Sequence, residues 1–354
     1  MDCGEIRYQY FSCGNNQCPQ CQGVKRLQWQ DRLSSKMLKV PYVHTTFTLP
    51  HALNGLARRN RGKIYGLLLR SCWKTIEKLC KKETNVGAKP GMTAVMHTWG
   101  SDLKYHIHAH CLVTFGGLVL HPSPEWKWPK RKKKLAGYRA ICGTFRQVFL
   151  KGLEGLMKRG EVIYHRSYEE LEKEMLKIRW VVHNTHPSSD TKVIEEYLSR
   201  YICRIGITNS RLSYDPTGRN VQIKYNDYRN QKKGYPAPKK YKSLPPFLGM
   251  HMILQHQVPV GFQRVRHYGL HFGVTYKRIK DQIPDHLRRN GQTVRTIIQI
   301  LKALLGEEPY KCEGCEGLDF EEDLIVADPD YIVRMLCRKK RGPPGKRAGA
   351  EGIN

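Results

Sequence analysis

The sequence predicts an α+β fold built on an antiparallel sheet, and three observations carry that expectation. Segments of alternating, β-branched character, such as VHTTFTLP from Val43 to Pro50, are mixed with segments whose apolar residues recur at helical spacing, such as Ile64 to Cys80. Two apolar strands flank Gly100, Ser101 and Asp102, residues that favour a tight turn, so this pair should close as a hairpin. Hydrophobic residues make up 40% of 354, enough for a real core, and no internal repeat is present.

In chain order, residues 1 to 24 form a cysteine-rich segment too short for a core of its own. Cys13, Cys18 and Cys21 have C-x4-C-x2-C spacing, and Cys3 can supply a fourth thiolate for tetrahedral Zn²⁺, which makes this a small structural zinc module. A basic amphipathic helix follows from Val24 to about Leu38, then the strand from Val43, the helix to Cys80 and the hairpin. A Trp-, Pro- and Lys-rich insertion spans Pro122 to Lys134. Helices are expected over Tyr138 to Met157 and Tyr168 to Ile178, a strand at WVVH from Trp180, and helical character in VIEEYLSRYICRIG. A strand near Val221 to Tyr228, a helix near Phe247 to Gln257 and a long helix from Ile283 to Leu305 complete the pattern. Cys312 and Cys315 make a further CxxC, which can complete a zinc site with Cys337, join the N-terminal cysteines or form a redox pair. Cys72, Cys80, Cys142 and Cys203 lie in apolar or helical stretches and read as core.

The chain carries 61 Lys and Arg against 31 Asp and Glu, a formal net charge of +30. Such an excess repels itself unless a polyanion offsets it, and nucleic acid is the natural partner. The excess is clustered, as in KWPKRKKKL with Lys130 and Arg131 and RVRHYG with Arg264 and Arg266, and aromatic residues interleave with several clusters, which suits stacking on unpaired bases. No run approaches the roughly 18 apolar residues that cross a bilayer, and MDCGEIRYQY is not a charged-then-apolar leader, so no membrane role is expected and a cytosolic location is. Twelve cysteines in such a chain favour metal over disulfides.

The stretch KYHIHAHCLV places His106, His108 and His110 at alternate positions, so on a strand all three imidazoles project from one face. Imidazole is the commonest metal-ligating side chain, and two histidines at i and i+2 can share one ion. If the hairpin closes near Asp102, His97 lies roughly opposite residues 106 to 108, which makes it the expected third ligand, with His106 the alternative. A histidine-held metal with open positions polarises a phosphoryl oxygen. Downstream, EYLSRYICR sets Tyr197 and Tyr201 four apart, on one face of a helix, with Arg200 and Arg204 as phosphate contacts. A tyrosine activated by nearby cations or metal can serve as a covalent nucleophile.

An HxH strand followed by YxxxY on a helix resembles the two-tyrosine branch of the HUH endonucleases, and more closely the rolling-circle insertion-sequence transposases. The resemblance extends in order from Cys3 to about Leu270, through CGEIRYQYFSCGNNQCPQCQG, HTTFTLPH, HTWGSDLKYHIHAHCLVTFGGL, WVVH, YLSRYICRIGITNSRL with Arg211, KYNDYR and GFQRVRHYGL. It departs at Gln17, where such proteins commonly have histidine.

The resemblance implies an HUH nuclease-like antiparallel sheet flanked by helices. It implies Mg²⁺ or Mn²⁺ on His108 and His110, and Tyr197 and Tyr201 as nucleophiles that form a 5′-phosphotyrosine link to single-stranded DNA with hairpin element ends. The expected organisation is a zinc module over 1–24, a single-strand DNA nuclease and transposase domain over 25–275, a helical region with CxxC over 276–338 and a basic disordered tail over 339–354. The setting implied is prokaryotic and nucleoid-associated. Two rival expectations remain: a plasmid replication initiator or relaxase with the same chemistry, and a zinc-containing DNA-binding protein without catalysis. A zinc deaminase is excluded, since no H-x-E precedes a P-C-x-x-C.

Overall fold

A computed structural model describes residues 6–10, 23–190, 207–232, 234–289, 293–306, 316, 321–328 and 331–337. They fall in two compact units. One, drawn from residues 1–14 and 295–354, holds strands β1 (Ile6–Tyr10), β12 (Glu321–Asp328) and β13 (Tyr331–Cys337), an antiparallel sheet of order β1-β13-β12. The other, residues 15–294, carries the large sheet and the candidate site.

The larger unit runs helix α1 (Gly23–Ser34), strand β2 (Tyr42–Thr48), helices α2 (Asn54–Arg59) and α3 (Arg61–Cys80), then strands β3 (Gly91–Trp99) and β4 (Tyr105–Thr114). A small hairpin, β5 (Gly117–Val119) and β6 (Glu125–Lys127), precedes helices α4 (Tyr138–Lys158) and α5 (Tyr168–Lys177) and strand β7 (Val181–Asn184). Strands β8 (Leu212–Tyr214), β9 (Val221–Asn226) and β10 (Lys239–Leu244) make a separate antiparallel sheet. A helix over Pro246–Leu254, strand β11 (Val265–Gly269) and a helix over Gly273–Ile279 follow. The main sheet has order β11-β3-β4-β2-β7 and is antiparallel throughout, as the α+β expectation required.

Alternation decides what each face of this sheet does. Val43 and Phe47 of β2, Met92, Ala94 and Met96 of β3, and Tyr105, Ile107, Ala109, Cys111 and Val113 of β4 join one large core with α3 and α4. The opposite face is apolar at one end, where Tyr42, Val95 and Leu112 pack with Leu33, Leu38, Leu270 and Leu287. At its other end the same face carries the histidines. Cys72, Cys80 and Cys111 are buried and Cys142 half-buried, whereas Cys203 lies outside the described residues.

Three expectations change. The helix foreseen from Ile283 to Leu305 is broken: Pro284 holds Ile283 extended (ψ 130°), the described chain makes only 3-10 turns at Lys280–Gln282 and Asp285–Leu287, and a new helix runs Ile297–Leu305. That helix is punctuated by a Thr296–Gln299 capping box and by Gly306 in the left-handed region, signals the apolar periodicity masked. The C-terminal region expected to be helical contains two strands, β12 and β13. The basic run around Arg264 leads into β11, an edge strand of the main sheet paired to β3.

Candidate metal centre and its cleft

The β3–β4 hairpin sets the site. Gly100 N donates to Lys104 O at 3.0 Å, and Leu103, at φ 58°, turns its carbonyl to accept from His256 Nε2 at 3.0 Å and Gln255 Nε2 at 3.1 Å. With the turn fixed, His97 pairs directly with His108, and His110 stands between Val95 of β3 and Thr46 of β2. One ring nitrogen from each of His97, His108 and His110 lies within 4.8 Å of the others. All three side chains are buried, at 2%, 8% and 6% exposure. His106 sits at the margin, its ring 5.0 Å from that of His108 and 5.2 Å from that of His51.

Burial keeps these imidazoles neutral. His108 is pushed down to about 3 by desolvation first, with His106 adding. His110 and His97 are driven well below the usual imidazole value by the same cause, then by neighbouring histidines; Arg264 also acts on His97. Neutral imidazole is the ligating form. His108 Nδ1 donates to the His106 carbonyl at 3.0 Å, a group that can only accept, so its Nε2 presents a lone pair, 3.1 Å from His110 Nε2. A donor set of three buried neutral imidazoles with converging nitrogens fits a divalent cation.

These histidines lie in an open cleft of about 1110 Å³. One side is the sheet with Thr46, Trp99 and the β3–β4 turn. The other is the β8–β10 sheet, which contributes Lys224, Tyr225, Asn226, Lys239 and Lys240, with Arg211 and Tyr228 beside it. The two sides are tied together: Ser101 Oγ donates to Asn226 O at 2.7 Å, and Arg211 donates to Ser101 O and, through Nε, to Lys224 O at 2.8 Å. Trp99 and Leu103 pack against Ile207 and Ile223 beneath that junction.

The described residues therefore bring together His97, His108, His110, His106 and Arg211. Arg264 is buried, its guanidinium 5.2 Å from the Trp99 ring centroid, and Arg266 lies over Phe262 on the other face. Lys130 and Arg131 are exposed beyond the β5–β6 hairpin and do not line the cleft. Tyr197, Tyr201, Arg200, Arg204 and Cys3, Cys13, Cys18, Cys21, Cys312 and Cys315 lie outside the described residues. Sequence reasoning missed His44, Thr46, Lys224, Lys239 and Lys240. His44 and Thr46 sit in an alternating strand whose inward face gave the signal; Lys224 stands in KYNDYR, which carries only the resemblance, and Lys239 and Lys240 belong to the basic run KKGYPAPKKYK, to which no site was assigned.

Residues 91–278, which contain the β3–β4 hairpin, the β8–β10 sheet and β11, match the Y2_Tnp family model, described as "Putative transposase". The chain belongs to the Y2_Tnp transposase family. Residues 1–49 of this family member match a second model, "Transposase zinc-binding domain", which runs through α1 into β2. The chain is 31% identical over 289 residues to "Putative transposase y4qJ" of Sinorhizobium fredii (strain NBRC 101917 / NGR234), covering 78% of this chain and 70% of that protein. It is 23% identical over 325 residues to "Transposase for insertion sequence element IS801" of Pseudomonas savastanoi pv. phaseolicola, covering 88% and 75%. No solved structure matches. The family accords with a rolling-circle transposase, a DNA-processing protein, and the zinc-domain match and the histidine cluster both point to metal. No helix among the described residues is long and apolar enough to cross a membrane.

Proposed function

We propose that this transposase cleaves and rejoins single-stranded DNA through a 5′-phosphotyrosine intermediate, with His97, His108 and His110 holding Mg²⁺ or Mn²⁺. The convergence of three buried imidazoles within 4.8 Å at a lysine- and arginine-lined cleft is the observation that carries this reading. A bound cation there would withdraw charge from a non-bridging phosphate oxygen. Tyr197 or Tyr201 attacks phosphorus through its phenolic oxygen and gives up its proton; the P–O3′ bond breaks, and the 3′ oxygen leaves as a hydroxyl after taking a proton. Reversal with a different 3′-OH rejoins the strand, regenerates the phenol and needs no ATP, because the phosphodiester energy is kept in the link. Two tyrosines four apart in the sequence let two ends be handled in one site.

Lys224, Lys239, Lys240 and Arg211 hold the strand's phosphates, and Tyr228, 61% exposed, offers a base a stacking surface. Cys3, Cys13, Cys18 and Cys21 hold structural Zn²⁺, with Cys312 and Cys315 as further candidates. The test is to incubate the full chain with a labelled single-stranded element end, with Mn²⁺ or EDTA, and read a denaturing gel. A protein-linked band in Mn²⁺ alone supports the reading. DNA binding with no band in either condition overturns it in favour of a non-catalytic DNA-binding protein.

A further inference from the structure

We infer that His44 is a positioning residue for the metal centre, an acceptor that fixes the ring and tautomer of His110; this rests on the metal reading above. His110 cannot use both nitrogens for a cation. Its Nε2 faces His108 at 3.1 Å, while its Nδ1 points the other way, to His44 Nε2 at 2.9 Å and Thr46 Oγ1 at 3.1 Å. The His44 and His110 ring planes are within 21° and their centroids 5.0 Å apart, so with nitrogens at 2.9 Å the rings meet edge to edge, the geometry of an in-plane hydrogen bond rather than face stacking.

For His110 to present a lone pair from Nε2, its hydrogen must sit on Nδ1 and be donated outward. His44 Nε2 accepts it when the hydrogen of His44 is on Nδ1. Metal-bound histidines ordinarily make this outward bond to a carboxylate or carbonyl; among the residues lining this cleft the carboxylates are Asp102 and Asp227, which pair with Lys104 and Lys240 instead. His44 is itself held by its backbone. Its N–H donates to Thr185 Oγ1 at 3.1 Å and its carbonyl accepts from Thr185 N at 3.0 Å. Strand β2 thus contributes no ligand of the trio but sets the orientation of one.

The experiment is Mn²⁺ titration of the full chain by calorimetry, on the wild type, His44→Ala, His44→Gln and His110→Ala, each checked for folding by thermal melting. His44→Ala should weaken Mn²⁺ by about 10- to 100-fold, and His44→Gln, whose side-chain oxygen reaches the same place, should recover most of it. Wild-type affinity in His44→Ala beside a large loss in His110→Ala overturns the inference and leaves the metal reading standing. Unchanged affinity in His110→Ala as well sinks the metal reading itself. Should His44→Ala not fold, ¹⁵N spectra of selectively histidine-labelled wild type in Mg²⁺ decide the matter. The inference expects His110 protonated at Nδ1, and a proton on Nε2 contradicts it.

Discussion

His97 and His108 stand directly opposite each other across the β3–β4 pair, with ring centroids 5.2 Å apart and ring planes at 89°. A ring nitrogen of each lies within 4.8 Å of the other and of one from His110, so the pair can reach a common point. His106, one step further along the same face, lies outside the trio. His97→Ala should therefore weaken Mn²⁺ binding by at least the roughly 100-fold that loss of an outer partner costs, while His106→Ala changes it far less. Calorimetric titration of both variants distinguishes the third ligand.

A second group of histidines makes stability depend on pH. Tyr42 OH accepts from Leu38 N at 2.9 Å and meets His271 Nε2 at 3.0 Å; Thr93 Oγ1 lies 2.9 Å from both His271 Nδ1 and His267 Nδ1. Burial lowers His267 to about 4, with Lys36 and Arg289 adding, and holds His271 well below the usual value. Above the unfolded value of about 6.5 both rings are neutral in either state, so no stability is lost. As pH falls from there toward 4, the unfolded chain binds protons that the folded chain does not, and stability drops. Thermal unfolding followed between pH 7 and pH 4.5 should show a falling midpoint, and His267→Gln should flatten the slope.

Gly269 ends β11 at φ 55°, where a Cβ would collide with the Pro90 carbonyl and approach the Trp73 ring to 2.5 Å. Gly269→Ala should cost about 1–3 kcal/mol or more, read as a lowered midpoint of thermal unfolding. Gly273→Ala, where an added Cβ meets nothing within 4 Å, should leave the midpoint nearly unchanged.

Lys224 and Lys239 face the cleft from the β8–β10 sheet. Reversing both charges should weaken single-stranded DNA binding in EDTA as well as in Mn²⁺, and should make the salt dependence shallower by about 0.7 for each phosphate no longer neutralised. Fluorescence anisotropy across a salt series checks this. Substitution of His108 should leave the same binding largely intact, because it removes a cation ligand rather than a phosphate-binding charge.

Much of this site was legible from alternation alone. His106, His108 and His110 announce one face of a strand, and Gly100 to Asp102 announce the turn that brings His97 opposite. His44 was hidden because its partner, His110, lies 66 positions away on a neighbouring strand, and register between β2 and β4 is not written in either segment. Composition is a poor guide at β11: the arginines of RVRHYG read as DNA contacts, and Arg264 is 9% exposed and packs over Trp99, while Val265 and Tyr268 of the same run pack in two different clusters on opposite faces of the sheet. The long C-terminal helix failed for the opposite reason, since periodicity was followed across Pro284.

Covalent tyrosine chemistry directed by the histidine cluster is tested most directly by trapping the protein–DNA adduct formed in Mn²⁺, digesting it and sequencing the DNA-linked peptide. A 5′-phosphate on Tyr197 or Tyr201 is expected, absent from the Tyr197→Phe, Tyr201→Phe double variant. An adduct on any other residue, or one that persists in the double variant, would contradict it.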